Sequence, residues 1–328
     1  MESRFISVYG TTKGGSGRIV AAINLSFALK NNLKRQDEKI ALLDFDFSAP
    51  SVVPILVGME GAPAKSVVSL GLMIDKLDSA VLPDFLLKHS SGVEILQGVG
   101  EGENSNKVTQ SGIAAISNIL KKTYSYIVLN TEKEFSEKLV MTFDLSNLIL
   151  LIINPDVLSI HRAKIFLDEI VRLHYPVSLV KIVVNSFDTK GAISKSKIEE
   201  FLHQPVFFEI PYDKDVVITS INHGTPAVLS FPRSAFSKSI NSLAELLIKN
   251  QEIYLEPAAV SKERIFDTST FSKDGSYSDG KVAAVGADEK LKALKNTLQK
   301  KLLKEIDIKI FDSHMDENVQ KEIREKVK

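Results

Sequence analysis

Seven short apolar runs recur along the first 250 residues: Phe5–Tyr9, Ile40–Phe45, Val93–Val99, Tyr126–Leu129, Leu148–Ile153, Leu179–Val184 and Val206–Ile210. They are continuous rather than alternating and rich in Val and Ile, the pattern of strands buried on both faces. Between them lie stretches with helical spacing, Ile19–Leu33, Ile113–Lys121, Leu158–Leu173, Ile193–Leu202 and Ala235–Lys249. Strand alternating with helix requires crossover connections and predicts a doubly wound, mostly parallel α/β domain over residues 1–252. Composition narrows the function further. The 41 basic residues balance 41 acidic ones, so no global field draws the chain to nucleic acid or anionic lipid. The absence of Cys excludes a disulfide framework, thiolate metal sites and a cysteine nucleophile, and fits a reducing compartment.

The character of the chain changes after the last helical stretch. Residues 253–288 are rich in Ser, Lys, Asp and Gly and bury too little apolar surface to offset their ordering entropy, so they read as a flexible linker. Over 289–328 a helical segment is expected. Leu291, Leu294, Leu298, Leu302 and Ile306 fall at steps of three and four, and Val319, Ile323 and Val327 repeat at steps of four after a capping box at Ser313–Asp316. The start lacks a signal peptide and no apolar run approaches the ~20 residues of a membrane span, so a cytoplasmic protein is expected.

The first strand runs directly into Lys13-Gly14-Gly15-Ser16-Gly17-Arg18-Ile19 and then a helix. Glycines between a buried strand and a helix let backbone N–H groups converge on a phosphate at the positive helix end. A full phosphate-binding loop ends Gly-Lys-Ser/Thr, whose lysine meets the phosphates and whose hydroxyl ligates Mg²⁺; here Arg18 and Ile19 hold those places. Other chemistries fit poorly. The histidines, including His161, His174 and His203, are dispersed without metal-ligand spacing, and no Gly-x-Ser-x-Gly elbow is present. Asp44 and Asp46 are expected to point to opposite faces of their strand, which argues against a facing acid–base pair.

The loop with its early lysine resembles the deviant Walker A motif of the MinD/ParA family of dimerising ATPases. Further landmarks fall in family order over residues 1–250: Ala41–Asp46 resembles the second-strand aspartate motif, Tyr126–Asn130 the Walker B strand, Leu148–Pro155 the strand after it, Val183–Asn185 the strand ending at the adenine-reading asparagine, and Ile210–Asp213 the turn near the base. The resemblance implies a nucleotide site drawn from Lys13, Gly14, Gly15, Ser16, Gly17, Arg18, Ile19, Asp44, Asn130, Asn185 and Pro211. Lys13 corresponds to the signature lysine that crosses to a partner's nucleotide, and Asp46 to the water-orienting carboxylate. Arg18, Ile19 and Asn130 depart from the family's lysine, metal-ligating hydroxyl and Walker B aspartate. Because phosphoryl transfer depends on Mg²⁺-centred electrostatics, their combined effect is expected to cost several factors of ten in rate, at ~1.4 kcal/mol each. The expectation is ATP or ADP held without turnover, with no protein-bound metal.

Asp44–Pro50 followed by Ile55–Gly58 is most similar to the CpaE/TadZ branch, which serves Tad (type IV-like) pilus assembly. Leu291–Ile308 and Val319–Val327 are similar to the helical start of CpaF/TadA-type secretion ATPases. The resemblance therefore implies a homodimeric scaffold that positions such a motor, on a separate chain or on the same polypeptide, at the inner-membrane face or cell pole. Two other classes compete: an active ATP-driven positioning switch, and a lipid- or DNA-surface module using the Lys290–Lys304 helix, a face lacking Trp and Phe anchors. Nucleic acid is not an expected partner, and any membrane association would be peripheral.

Overall fold

The computed structural model describes residues 3–11, 15–35, 37–61, 66–71, 73, 78 and 81–256. The expected helical tail and residues 257–288 of the expected linker, like Lys13 and Gly14, lie outside the described residues, whereas residues 253–256 are described. In chain order the elements are β1 (Arg4–Gly10), α1 (Arg18–Asn32), β2 (Ile40–Phe45), α2 (Val53–Leu56), α3 (Val67–Gly71), β3 (Leu87–Lys88), β4 (Val93–Leu96), α4 (Gln110–Thr123), β5 (Tyr126–Thr131) and α5 (Glu137–Leu145). There follow β6 (Leu148–Ile153), α6 (Val157–Arg172), β7 (Val180–Asn185), α7 (Lys195–Leu202), β8 (Val206–Ile210), α8 (Lys214–Asn222), α9 (Ala227–Ser230) and α10 (Ala235–Lys249).

One eight-stranded sheet runs in the order β3-β4-β2-β5-β1-β6-β7-β8. Every neighbouring pair is parallel except β3 with β4. This is the doubly wound architecture the alternating runs predict. The chain moves from central β1 toward β2 and β4, then returns through β5 and crosses to β6, so the loop after β1 stands where the winding reverses. Ligands of open α/β sheets bind at that place, beyond the carboxyl ends of the strands.

Side-chain alternation divides the core between the two faces. Ile6 and Val8 pack in one cluster with residues of α1 and α10, while Phe5 and Tyr9 join the clusters on the opposite face with α4, α5 and α6. Several helices carry the expected start signals: Thr109, Ser136, Asp156 and Ser234 each accept a hydrogen bond from a first-turn backbone N–H of α4, α5, α6 and α10. Helix α1 is different, because its cap is Gly17, which has no side chain to offer. Its first N–H groups are therefore left for the loop or a ligand.

Beyond α10 the backbone crosses the amino edge of the sheet. Leu255 N–H donates to the Asn147 carbonyl at 2.9 Å, and Asn147 Nδ2 donates to the Leu255 carbonyl at 2.8 Å. Asn147 Oδ1 in turn accepts from Phe5 N–H at 2.8 Å. Arg4 meets Glu256 at 3.3 Å and lies over the Tyr254 ring.

Candidate functional site

Gly15 and Gly17 adopt φ of 82° and 77°, the left-handed region that favours glycine. Gly17 also has no room for a side chain, since an added Cβ would lie 2.5 Å from Asn185 Nδ2. Ser16 is buried against Gly10, and its hydroxyl accepts from Arg18 N–H at 3.4 Å. Two asparagines from neighbouring strand ends hold the loop from outside: Asn154 Nδ2 donates to the Gly15 carbonyl and Asn185 Nδ2 to the Ser16 carbonyl, both at 3.0 Å. Asn185, read from the sequence as a base-contacting residue, thus commits its amide nitrogen to the loop.

The charged groups at the carboxyl edge are joined to one another. The Arg18 side chain is 6% exposed, and its Nη2 donates to Asp46 Oδ2 at 2.7 Å. Asp44 lies on β2 in register with Asn130 on β5. Its Oδ1 accepts from Asn130 Nδ2 at 2.7 Å and its Oδ2 accepts from the Ser51 hydroxyl at 2.5 Å. Burial favours the neutral acid and pushes the Asp44 carboxyl above its ordinary value, against the two side-chain hydrogen bonds, with the nearby Asp46 charge adding to the rise.

The expectation that Asp44 and Asp46 face apart is corrected. Residues two apart on an extended chain share a face, and Asp46 N–H donates to Asp44 Oδ1 at 3.3 Å. Both carboxylates look onto the loop side.

Glu132, one residue past the end of β5, was not singled out from the sequence. It is 6% exposed, its Oε1 has no hydrogen-bond partner, and burial pushes its carboxyl up to about 7. Lys138 lowers that value, the Asp46 charge raises it and Arg18 lowers it, which places Glu132 in the same electrostatic group. The sequence signal available was an acid directly after a buried apolar run. Gly98 escaped notice for a different reason: an added Cβ there would collide with the Asp44 carbonyl oxygen, a backbone contact between strands far apart in sequence.

Beside the loop lies a cleft of about 150 Å³ walled by Gly17, Asn185, Pro211, Tyr212, Val217 and Ile218. It adjoins, through Ser186 and Tyr212, a shallower groove of about 340 Å³ that reaches Gly15 and Asn154. The glycine loop, the uncapped start of α1 and the apolar cleft beside Asn185 and Pro211 fit the phosphates and ring of a nucleotide. The residues do not fit a divalent metal ion. Position 19 is an Ile with no ligating atom, position 130 is a neutral amide, both oxygens of Asp44 are occupied, and Asp46 is paired with Arg18. Among the described residues there is no group of three or more His, Cys, Asp or Glu placed to hold a metal ion.

A glycine loop at the switch point of a doubly wound sheet of this topology defines the fold of the MinD/ParA ATPases. The ParA family ATPase from Chlorobium tepidum TLS superposes with a TM-score of 0.68 at 20% identity, covering 74% of this chain and 98% of that one. The cell division ATPase MinD from Pyrococcus furiosus gives 0.62 at 19% identity, covering 75% and 99%. In sequence, the chain is 24% identical over 292 residues to an iron-sulfur cluster carrier protein from Helicobacter pylori, spanning 80% of this chain and 70% of the relative. No protein-family model matches. At these identities the likeness establishes the fold. Among the described residues no helix is long and apolar enough to cross a membrane.

Proposed function

We propose that this chain is a MinD/ParA-like protein that holds nucleotide without turning it over and acts as a dimerising scaffold, organising a Tad or type IV-like pilus (secretion) ATPase. The observation that carries the reading is the set of contacts among Arg18, Asp46, Asp44, Asn130 and Ser51, which engages both carboxylates that follow the second strand's apolar run, beside an Ile at position 19 that offers no ligand. Phosphoryl transfer without that support loses its main source of charge stabilisation. The homodimer reading is supported by exposed apolar side chains, Val157 and Leu158, at the start of α6 close after Asn154, which bonds the loop. The motor-positioning role draws on the sequence of the tail.

Cluster carriage, the role named for the Helicobacter relative, lacks its usual thiolate ligands in this sequence. Iron-sulfur clusters are held chiefly by Cys thiolates, and these 328 residues contain no Cys. Phosphate release by the purified chain with Mg²⁺-ATP tests the proposal. Release at background is expected, whereas robust Mg²⁺-dependent release abolished by Asp46→Ala would establish an active switch instead.

A further inference from the structure

We infer that the short helix α2 is a strut between the acid segment after β2 and helix α8, so that the wall of the cleft beside the loop and the Asp44 carboxyl move as one unit. Whatever fills the cleft is then felt at Asp44. The inference concerns regulation of the site and stands whether or not ATP is turned over.

At its amino end α2 is tied to the acid segment by one side chain. The Ser51 hydroxyl donates to Asp44 Oδ2 at 2.5 Å and accepts from the N–H of Val53, the first residue of α2, at 3.4 Å. Ser51 N–H also donates to the Val99 carbonyl at 2.8 Å, which holds this end against the chain beyond β4. A shift of Val53 therefore reaches the Asp44 carboxyl through a single hydroxyl.

At its carboxyl end α2 meets the turn after α8 backbone to backbone. Gly58 and Gly224 adopt φ of 70° and 60°, which glycine alone takes readily. A Cβ added at Gly224 would lie 2.6 Å from the Ile55 carbonyl oxygen, and one added at Gly58 would lie 2.9 Å from the Gly224 carbonyl oxygen. Side chains fill the rest of the junction. Val53 and Val57 lie in the core cluster on which Val216 and Val217 of α8 pack. The cavity that Leu56 shares with Ser220, Ile221 and Pro226 measures about 10 Å³, about the least that one water needs. Contacts packed this closely transmit a displacement instead of absorbing it.

Helix α8 also walls the cleft, through Val217 and Ile218. Asp44, Ser51, α2, the two glycines, α8 and the cleft thus form one unbroken series of contacts, the physical path that coupling between two places can follow. Coupling of this kind is reciprocal, so what fixes the Asp44 carboxyl also fixes the cleft wall.

Amide hydrogen exchange of the full chain tests the strut by a double-mutant cycle. Ser51→Ala cuts the tie to Asp44 at the end of α2 remote from α8. It is expected to speed exchange at Val217–Ile221 by about threefold or more while α6 keeps its rates, which separates coupling from general loosening. Gly224→Ala forces the junction apart, and adding Ser51→Ala to it is expected to change α8 no further. Because Gly224→Ala could unfold the turn, Leu56→Ala is the second background. It thins the packing without straining the backbone, and there the effect of Ser51→Ala is expected to fall to about half or less. In the reverse direction, Ile218→Gly loosens α8 from the cleft side and is expected to speed exchange at Val53 and Leu56 by about threefold or more. Unchanged α8 rates in Ser51→Ala would overturn the inference, as would an equal acceleration by Ser51→Ala in the natural chain and in both backgrounds. Acceleration spread equally over α6 would overturn it too, since the effect would then be global.

Discussion

Glu132 and Gly98 show how single residues set the properties of this site. Glu132 is an acid whose folded-state value, about 7, lies above its ordinary one. It therefore binds its proton more tightly folded than unfolded. Its favourable contribution is complete below the ordinary carboxylate range and is lost as pH rises through about 7. Glu132→Gln is expected to leave the melting temperature nearly unchanged near pH 5 and to raise it by several degrees near pH 8, with an upper limit of ~3 kcal/mol. Thermal melts at the two pH values check this, and an equal shift at both would contradict it. Gly98→Ala must push β4's end away from the Asp44 carbonyl, so a loss of about 2 kcal/mol or more is expected in urea unfolding. Neither residue was legible beforehand, because a buried charge and a close backbone approach are properties of the folded contact rather than of local sequence. Arg18, Ile19 and Asn130 were legible, since each replaces a residue type that its position in the loop or strand makes chemically necessary for metal-assisted transfer.

Among the elements, the apolar runs were readable and their ends were less so. The run Val93–Val99 yields a strand only to Leu96, and Gly98 beyond it lies against the backbone carbonyl of Asp44. The run Tyr126–Leu129 continues as strand through Asn130 and Thr131, because Asn130 pairs with Asp44 and the Thr131 hydroxyl donates to the Val8 carbonyl. Helix α8 was missed because Val216, Val217, Ile218 and Thr219 are β-branched and favour strands in isolation; packing of Val216 and Val217 on the α1–α10 cluster overrides that preference. The two-residue β3 is too short to leave a periodic signal. The amino-edge strap is where element-scale stability is most exposed to one side chain. Asn147→Ala removes the acceptor for Phe5 N–H and the donor to the Leu255 carbonyl, and it is expected to cost about 2–3 kcal/mol. Hydrogen exchange should then show early opening at Phe5 and Leu255, and unchanged protection there would contradict the role given to Asn147.

For the molecule as a whole, the site and the exit of the described chain lie at opposite edges of the sheet: the loop follows the carboxyl end of β1, while Leu255 is tied to Asn147 just before β6 begins. Deleting residues 289–328 is expected to leave the α/β body folded and to abolish assembly beyond the dimer or motor recruitment; unchanged assembly would contradict the tail's proposed role. Light scattering at micromolar concentration is expected to give twice the chain mass with little dependence on ATP, and a monomer in both conditions would oppose the dimer. The central claim is that this loop is kept from hydrolysis by three substitutions rather than by its fold. The most direct measurement is steady-state phosphate release from Mg²⁺-ATP by the natural chain beside a variant carrying Arg18→Lys, Ile19→Thr and Asn130→Asp. Background release by the natural chain and a Mg²⁺-dependent gain of about tenfold or more in the variant is the predicted result, whereas turnover by the natural chain at or above the variant's rate would contradict the account.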